Sequence, residues 1–137
     1  MTDINIGAFA ESLNDKMDRD GMNSQSPCAV VVAKQDPTSA NNYTWYRKYS
    51  DGWVEQGGIK TGSVNIGSGS EGSLGAINLP ITMANTNYTA TASAGNDYCI
   101  FIRFEQATTT FTPIFGAYTA GRTLTKVMWQ VSGIAAS

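Results

Sequence analysis

Residues 42–58 constrain the fold more than any other stretch of the chain. They read Asn-Tyr-Thr-Trp-Tyr-Arg-Lys-Tyr-Ser-Asp-Gly-Trp-Val-Glu-Gln-Gly-Gly. Two aromatic-rich runs flank Asp51-Gly52. Tyr and Trp suit a pleated, half-buried surface, and an Asp-Gly pair supplies the positive backbone angles of a tight turn. The segment therefore predicts a β-hairpin that gathers Trp45, Trp53, Tyr43, Tyr46 and Tyr49 into one unit. Gly57-Gly58 then let the chain bend or let another backbone come close.

At 137 residues the chain has the length of one domain and can bury a core without metals or disulfides. A net charge of −2 with scattered basic residues does not favour a nucleic-acid partner, which needs a clustered basic face. Arg47 and Lys48 are the one adjacent basic pair, read as a solvated strand edge that discourages pairing. No apolar run is long enough to span a bilayer, and the N-terminus does not read as a signal peptide. Cys28 and Cys99 both sit in apolar, strand-like runs and read as buried free thiols rather than a disulfide or metal pair. The chain has no histidine, so the commonest general base and metal ligand is missing, and no cofactor is expected.

Two regions emerge. Residues 1–25 carry Ile6, Phe9, Leu13 and Met17 at three- and four-residue spacing. This predicts a short amphipathic helix with a narrow apolar stripe, packed either on its own domain or against copies of itself. Residues 26–137 read as all-β. Residues 28–34 form an apolar run suited to a strand covered on both sides. Residues 62–75 are rich in glycine and serine and read as a long exposed loop. Residues 76–83 form another strand candidate, with Pro80 marking an edge or bulge.

Residues 88–94 alternate aromatic or alanine with hydroxyl residues, the period of a half-buried strand. Gly95-Asn96-Asp97 follows as a short turn, so this strand and residues 98–105 are expected to pair as a hairpin. Within the latter, Tyr98, Ile100, Ile102 and Phe104 are expected to share one face, opposite Cys99, Phe101, Arg103 and Glu105. Residues 109–115 and 126–134 read as the last strands, joined by a loop over residues 116–124. The spacing argues for a small antiparallel sandwich or barrel.

Most motifs that invite chemistry read blandly. Residues 67–72 hold glycines and serines but no following lysine, so they are not a phosphate loop. Asp15, Asp18 and Asp20 have the wrong spacing for a calcium loop. Trp45, Trp53 and Trp129 read as core fillers, ahead of a sugar-stacking surface. Tyr118 and Arg122 stand apart. They lie in a glycine-flanked stretch, where a tyrosine and an arginine offer apolar area and directed donors at low entropic cost.

Several motifs in order resemble the C-terminal tip domain of bacteriophage tail fibres. Trp53-Val54-Glu55-Gln56-Gly57-Gly58 is similar to that family's Trp-x-Glu/Ile-Gln-Gly-Gly segment. Leu79-Pro80-Ile81-Thr82-Met83 with Asn87-Tyr88-Thr89 is similar to its two middle strands. Met128-Trp129-Gln130-Val131-Ser132-Gly133-Ile134 resembles its closing strand, and Lys16-Met17-Asp18-Arg19-Asp20 resembles the units that punctuate fibre shafts. The longer, less apolar residues 62–75 depart from the pattern.

The resemblance implies a non-enzymatic homotrimer. Its antiparallel β-sandwich tip would carry a short N-terminal helix at the trimer interface, through Ile6, Phe9, Leu13 and Met17. It implies a protein made in the bacterial cytoplasm and assembled into the virion, where it binds a saccharide or outer-membrane protein on the host surface. The loop residues Tyr118, Arg122, Asn96 and Asp97 are the candidate receptor contacts. A structural, trimer-nucleating end cap is the alternative. A saccharide-cleaving enzyme would need paired carboxylates, and nothing in the sequence places Asp97 beside Glu105.

Overall fold

The computed structural model describes residues 28–95 and 98–137. The expected helix of residues 1–25, with Ile6, Phe9, Leu13 and Met17, lies outside them, as do Asn96 and Asp97. The chain divides into a unit ending at Val30 and a unit from Val31 to Ser137. The second is mainly β, and its sheets are antiparallel throughout.

Nine strands are described: β1 Val31–Gln35, β2 Trp45–Tyr49, β3 Trp53–Ile66, β4 Ser70–Gly72, β5 Ile77–Asn78, β6 Thr89–Ala94, β7 Ile100–Gln106, β8 Thr110–Ala117 and β9 Arg122–Ile134. One sheet has the order β1-β2-β3-β9-β6. In the other, β8 is flanked by β7 on one side and by β4 and β5 on the other.

The hairpin forms as its residues dictate. Trp45 pairs with Gly57 and Lys48 with Val54. The turn has three residues, Ser50, Asp51 and Gly52, closed by the Gly52 amide donating to the Tyr49 carbonyl at 3.0 Å. Only Gly52 has a positive φ, +90°. Asp51 serves differently from expected: its Oδ1 accepts from the Trp53 amide at 3.0 Å.

The two sheets share their buried side chains. One cluster joins Val54, Trp129 and Val131 from the first sheet to Ile77 and Phe111 from the second, with Met83 and Tyr88 between elements. The other unites Ile66, Leu124 and Val127 with Cys99 and Phe115. Each large apolar side chain removed from water contributes about 1.5–3 kcal/mol before entropy is counted. On β9, Val127, Trp129, Val131 and Gly133 point inward while Met128, Gln130 and Ile134 face solvent. Among the three tryptophans only Trp129 is a core residue; Trp45 is half-buried and Trp53 exposed.

Several expectations are corrected. Residues 62–75 are not one long loop: residues 62–66 extend β3, which pairs with β9 from Trp53↔Ile134 to Ile66↔Arg122, and Ser70–Gly72 form β4 on β8. A long ladder and burial of Ile66 at 2 % exposure outweigh a composition poor in apolar residues. The apolar run at residues 28–34 does contain a strand, but among the described residues β1 pairs on one side alone, with β2. Its Val31 and Val32, and Val30 before it, are exposed, as is Cys28. Arg47 and Lys48 are not at an edge, because β2 pairs with both β1 and β3.

β6 and β7 do not form a hairpin. β6 pairs with β9 and β7 with β8, so the connection crosses between sheets. The simple alternation on β7 also fails. A register shift between Phe101 and Arg103 turns Phe101 and Phe104 to the same side, with ring centroids 5.8 Å apart. A bulge does this by inserting one residue out of phase.

Candidate functional site

The long strands give the domain two poles. At one, β1 begins opposite Tyr49, the turn at Ser50 to Gly52 closes, and Ala135 donates its amide to the Gly52 carbonyl at 2.8 Å. At the other, β3 ends opposite the start of β9, where Ile66 faces Arg122. The 14 residues of β3 separate these ends by about 40 Å at the usual rise of about 3.3 Å per residue.

The far pole carries a cleft of about 480 Å³ lined by Tyr98, Cys99, Ile100, Tyr118, Thr119 and Arg122. Each wall follows from the fold. β8 is anchored by Phe115 and Ala117, both buried, so Tyr118 emerges where the chain leaves the core. The turn after β3 braces this point: the Ser68 hydroxyl donates to the Tyr118 carbonyl at 3.2 Å, and the Gly69 amide donates to the Ala117 carbonyl. Pairing with Ile66 fixes Arg122 as the first residue of β9, not a loop residue as the sequence suggested. The neighbouring Thr123 hydroxyl donates to Asn65 Oδ1 at 2.9 Å. Pairing of Ile100 with Gly116 carries Tyr98 and Cys99 to the same end.

The Arg122 guanidinium carbon lies 4.9 Å from the centroid of the Tyr98 ring. A cation over an aromatic face at an exposed site gains about 0.5–1 kcal/mol, enough to bias its orientation. Tyr98 is 80 % and Tyr118 62 % exposed, while Cys99 is buried at the floor. Arg122 is the only charged residue among the described lining residues. The other described arginine on this half, Arg103, is matched by Glu71 at 3.1 Å and Glu105 at 3.4 Å.

Of the residues singled out in the sequence, Tyr118 and Arg122 meet in this cleft. Asn96 and Asp97 fall outside the described residues. Tyr98 and Ile100 are additions that the sequence did not flag as contacts, because both read as members of a strand face. Two smaller recesses lie elsewhere, one of about 250 Å³ along the outer face of β6 and β9 and one of about 210 Å³ beside Asn42, Lys60 and Asn78. Among the described residues, no group of three His, Cys, Asp or Glu side chains is placed to hold a metal ion. Comparison with protein-family models, with curated proteins and with solved structures finds no match for this chain.

Proposed function

We propose that residues 26–137 form the receptor-binding tip of a bacteriophage or prophage tail fibre, trimeric in the virion. They would carry a β-sandwich that meets a saccharide or outer-membrane protein on the bacterial surface. The observation that carries this reading is polarity. The chain joins the β unit at Val31, beside the Ser50–Gly52 turn, and the aromatic, arginine-bearing cleft lies at the opposite end of β3 and β9. A fibre tip needs that arrangement, with attachment at one end and recognition at the other. Threefold copies would multiply weak contacts by avidity.

The test is adsorption of labelled protein to a panel of bacterial strains. Tyr118→Ala and Arg122→Ala should each lower adsorption at least about tenfold, as truncated binding hot spots do, while the oligomer measured by light scattering stays intact. Light scattering that returns a monomer at micromolar concentration would overturn the trimeric tip.

One observation favours a second reading, a trimer-nucleating end cap without receptor contact. Val31 and Val32 are 44 and 58 % exposed on β1, which among the described residues pairs with β2 alone, a surface suited to association rather than to water. Unchanged adsorption by both cleft variants, with the trimer preserved, would select the cap.

A further inference from the structure

We infer that the cleft at the far pole takes a sugar ring bearing a carboxylate, an acidic saccharide unit; this rests on the receptor-binding reading above. Three features define the ligand. The exposed rings of Tyr98 and Tyr118 provide flat apolar faces with a hydroxyl at each tip, and aromatic faces of this kind accept the C–H face of a pyranose ring. The guanidinium of Arg122 is a planar fork that matches the two oxygens of a carboxylate. Its orientation over Tyr98 at 4.9 Å removes part of the ordering cost that binding otherwise incurs.

Charge then narrows the class. Among the described lining residues Arg122 is the one charged group, and a carboxylate on the ligand is its complement. A phosphate monoester, at about −1.5 to −2 near neutral pH, would be undermatched there. A neutral sugar would leave the guanidinium without its natural partner. The volume of about 480 Å³ lies within the range of about 300–1,000 Å³ typical of small-molecule sites.

The experiment is binding of the full chain to a glycan array and, by calorimetry, to trigalacturonate and sialyllactose, each beside its carboxyl-reduced neutral counterpart. The acidic glycans should bind, with at least one of the two soluble acids held at least about tenfold more tightly than its reduced form, the scale of a charge-assisted hydrogen bond. Arg122→Gln should abolish that discrimination, and Arg122→Lys should restore part of it. Tyr98→Ala, at a position 80 % exposed, should weaken the acidic glycan as well. Equal binding of acidic and reduced glycans, or unchanged discrimination in Arg122→Gln, overturns the inference and leaves the receptor-binding reading standing. So does the absence of any glycan binding while the Tyr118 and Arg122 variants still lose cell adsorption, which would point to a protein receptor. Absence of glycan binding with adsorption unchanged in those variants overturns both.

Discussion

Gln56 and Ile81 hold each other through a reciprocal pair of hydrogen bonds. The Ile81 amide donates to Gln56 Oε1 at 2.9 Å, and Gln56 Nε2 donates to the Ile81 carbonyl at 3.0 Å. Gln56 is fully buried within β3. Its carboxamide does for the irregular segment after β5 what a neighbouring strand would do, satisfying a main-chain donor and acceptor away from water. The pair staples that segment to the first sheet, and Met83 Sδ accepts a further contact at 3.2 Å.

Removing that side chain leaves two part-buried main-chain groups unpaired and a cavity beside them. Gln56→Ala should therefore cost about 2–4 kcal/mol in urea unfolding. Gln56→Glu is the sharper test. It keeps an acceptor for Ile81 but loses the donor, and it buries an ionisable group whose neutral form is favoured. Its folded pKa would lie above the ordinary value of about 4.3. The variant should thus be most stable below pH 4 and lose stability as pH rises through the folded pKa. A flat pH dependence relative to the parent would refute the burial argument.

Tyr88 gives the second pH signature. Burial pushes its phenol above the usual range, and the hydroxyl donates to the carbonyls of Ala107 at 2.8 Å and Thr110 at 3.1 Å. The folded pKa is raised, so the stability tied to the protonated phenol is complete below the unfolded value of about 10 and is lost as pH rises through the folded value. Tyr88→Phe should cost about 1–2 kcal/mol at neutral pH and should flatten the alkaline decline. Denaturant melts of the two proteins between pH 8 and 11 check both points.

These examples show what was legible in the sequence. The Trp45 to Gly58 hairpin, the alternating Thr89–Ala94 strand and the closing β9 follow from local signals: an Asp-Gly turn, a period of two and β-forming residues. What could not be read was pairing at a distance. Nothing local to residues 62–66 says that β9 lies beside them, and Ile66 becomes a core residue only through that ladder. The sheet change between β6 and β7 was hidden for the same reason, since short turns more often join paired strands. Tyr118 and Arg122 stood out by residue type, whereas Tyr98 joined them through the register of β7 on β8. Gln56 carried no signal of burial, because a glutamine inside an aromatic strand reads as solvent-facing.

The paired glycines make a steric prediction. A Cβ at Gly57 would lie 2.7 Å from the Trp129 carbonyl oxygen and 2.8 Å from Trp45 Nε1. Neither is free to retreat, since one is main chain in β9 and the other an indole packed across the hairpin. Gly57→Ala should cost about 1–3 kcal/mol, as overpacking does. Gly67→Ala, where the nearest atom would be Ser70 Oγ at 3.5 Å, should change stability by less than about 0.5 kcal/mol. Equal thermal shifts for the two would show that the close approach at Gly57 relaxes at little cost.

The cysteines make the last prediction. Cys28 is exposed and Cys99 is buried beneath the cleft. Thiolate chemistry requires access as well as ionisation. Native protein treated with a thiol-reactive dye should therefore label one cysteine rapidly, and Cys28→Ser should abolish that phase. Cys99 should react only as the core opens, at a rate that rises with urea in step with the loss of structure. A ligand seated between Tyr98, Tyr118 and Arg122 should slow labelling of Cys99 further while leaving Cys28 unaffected. Rapid labelling of both sulfurs in the absence of denaturant would mean that the cleft floor is open to solvent, contrary to the packing of Cys99 with Phe115 and Leu124.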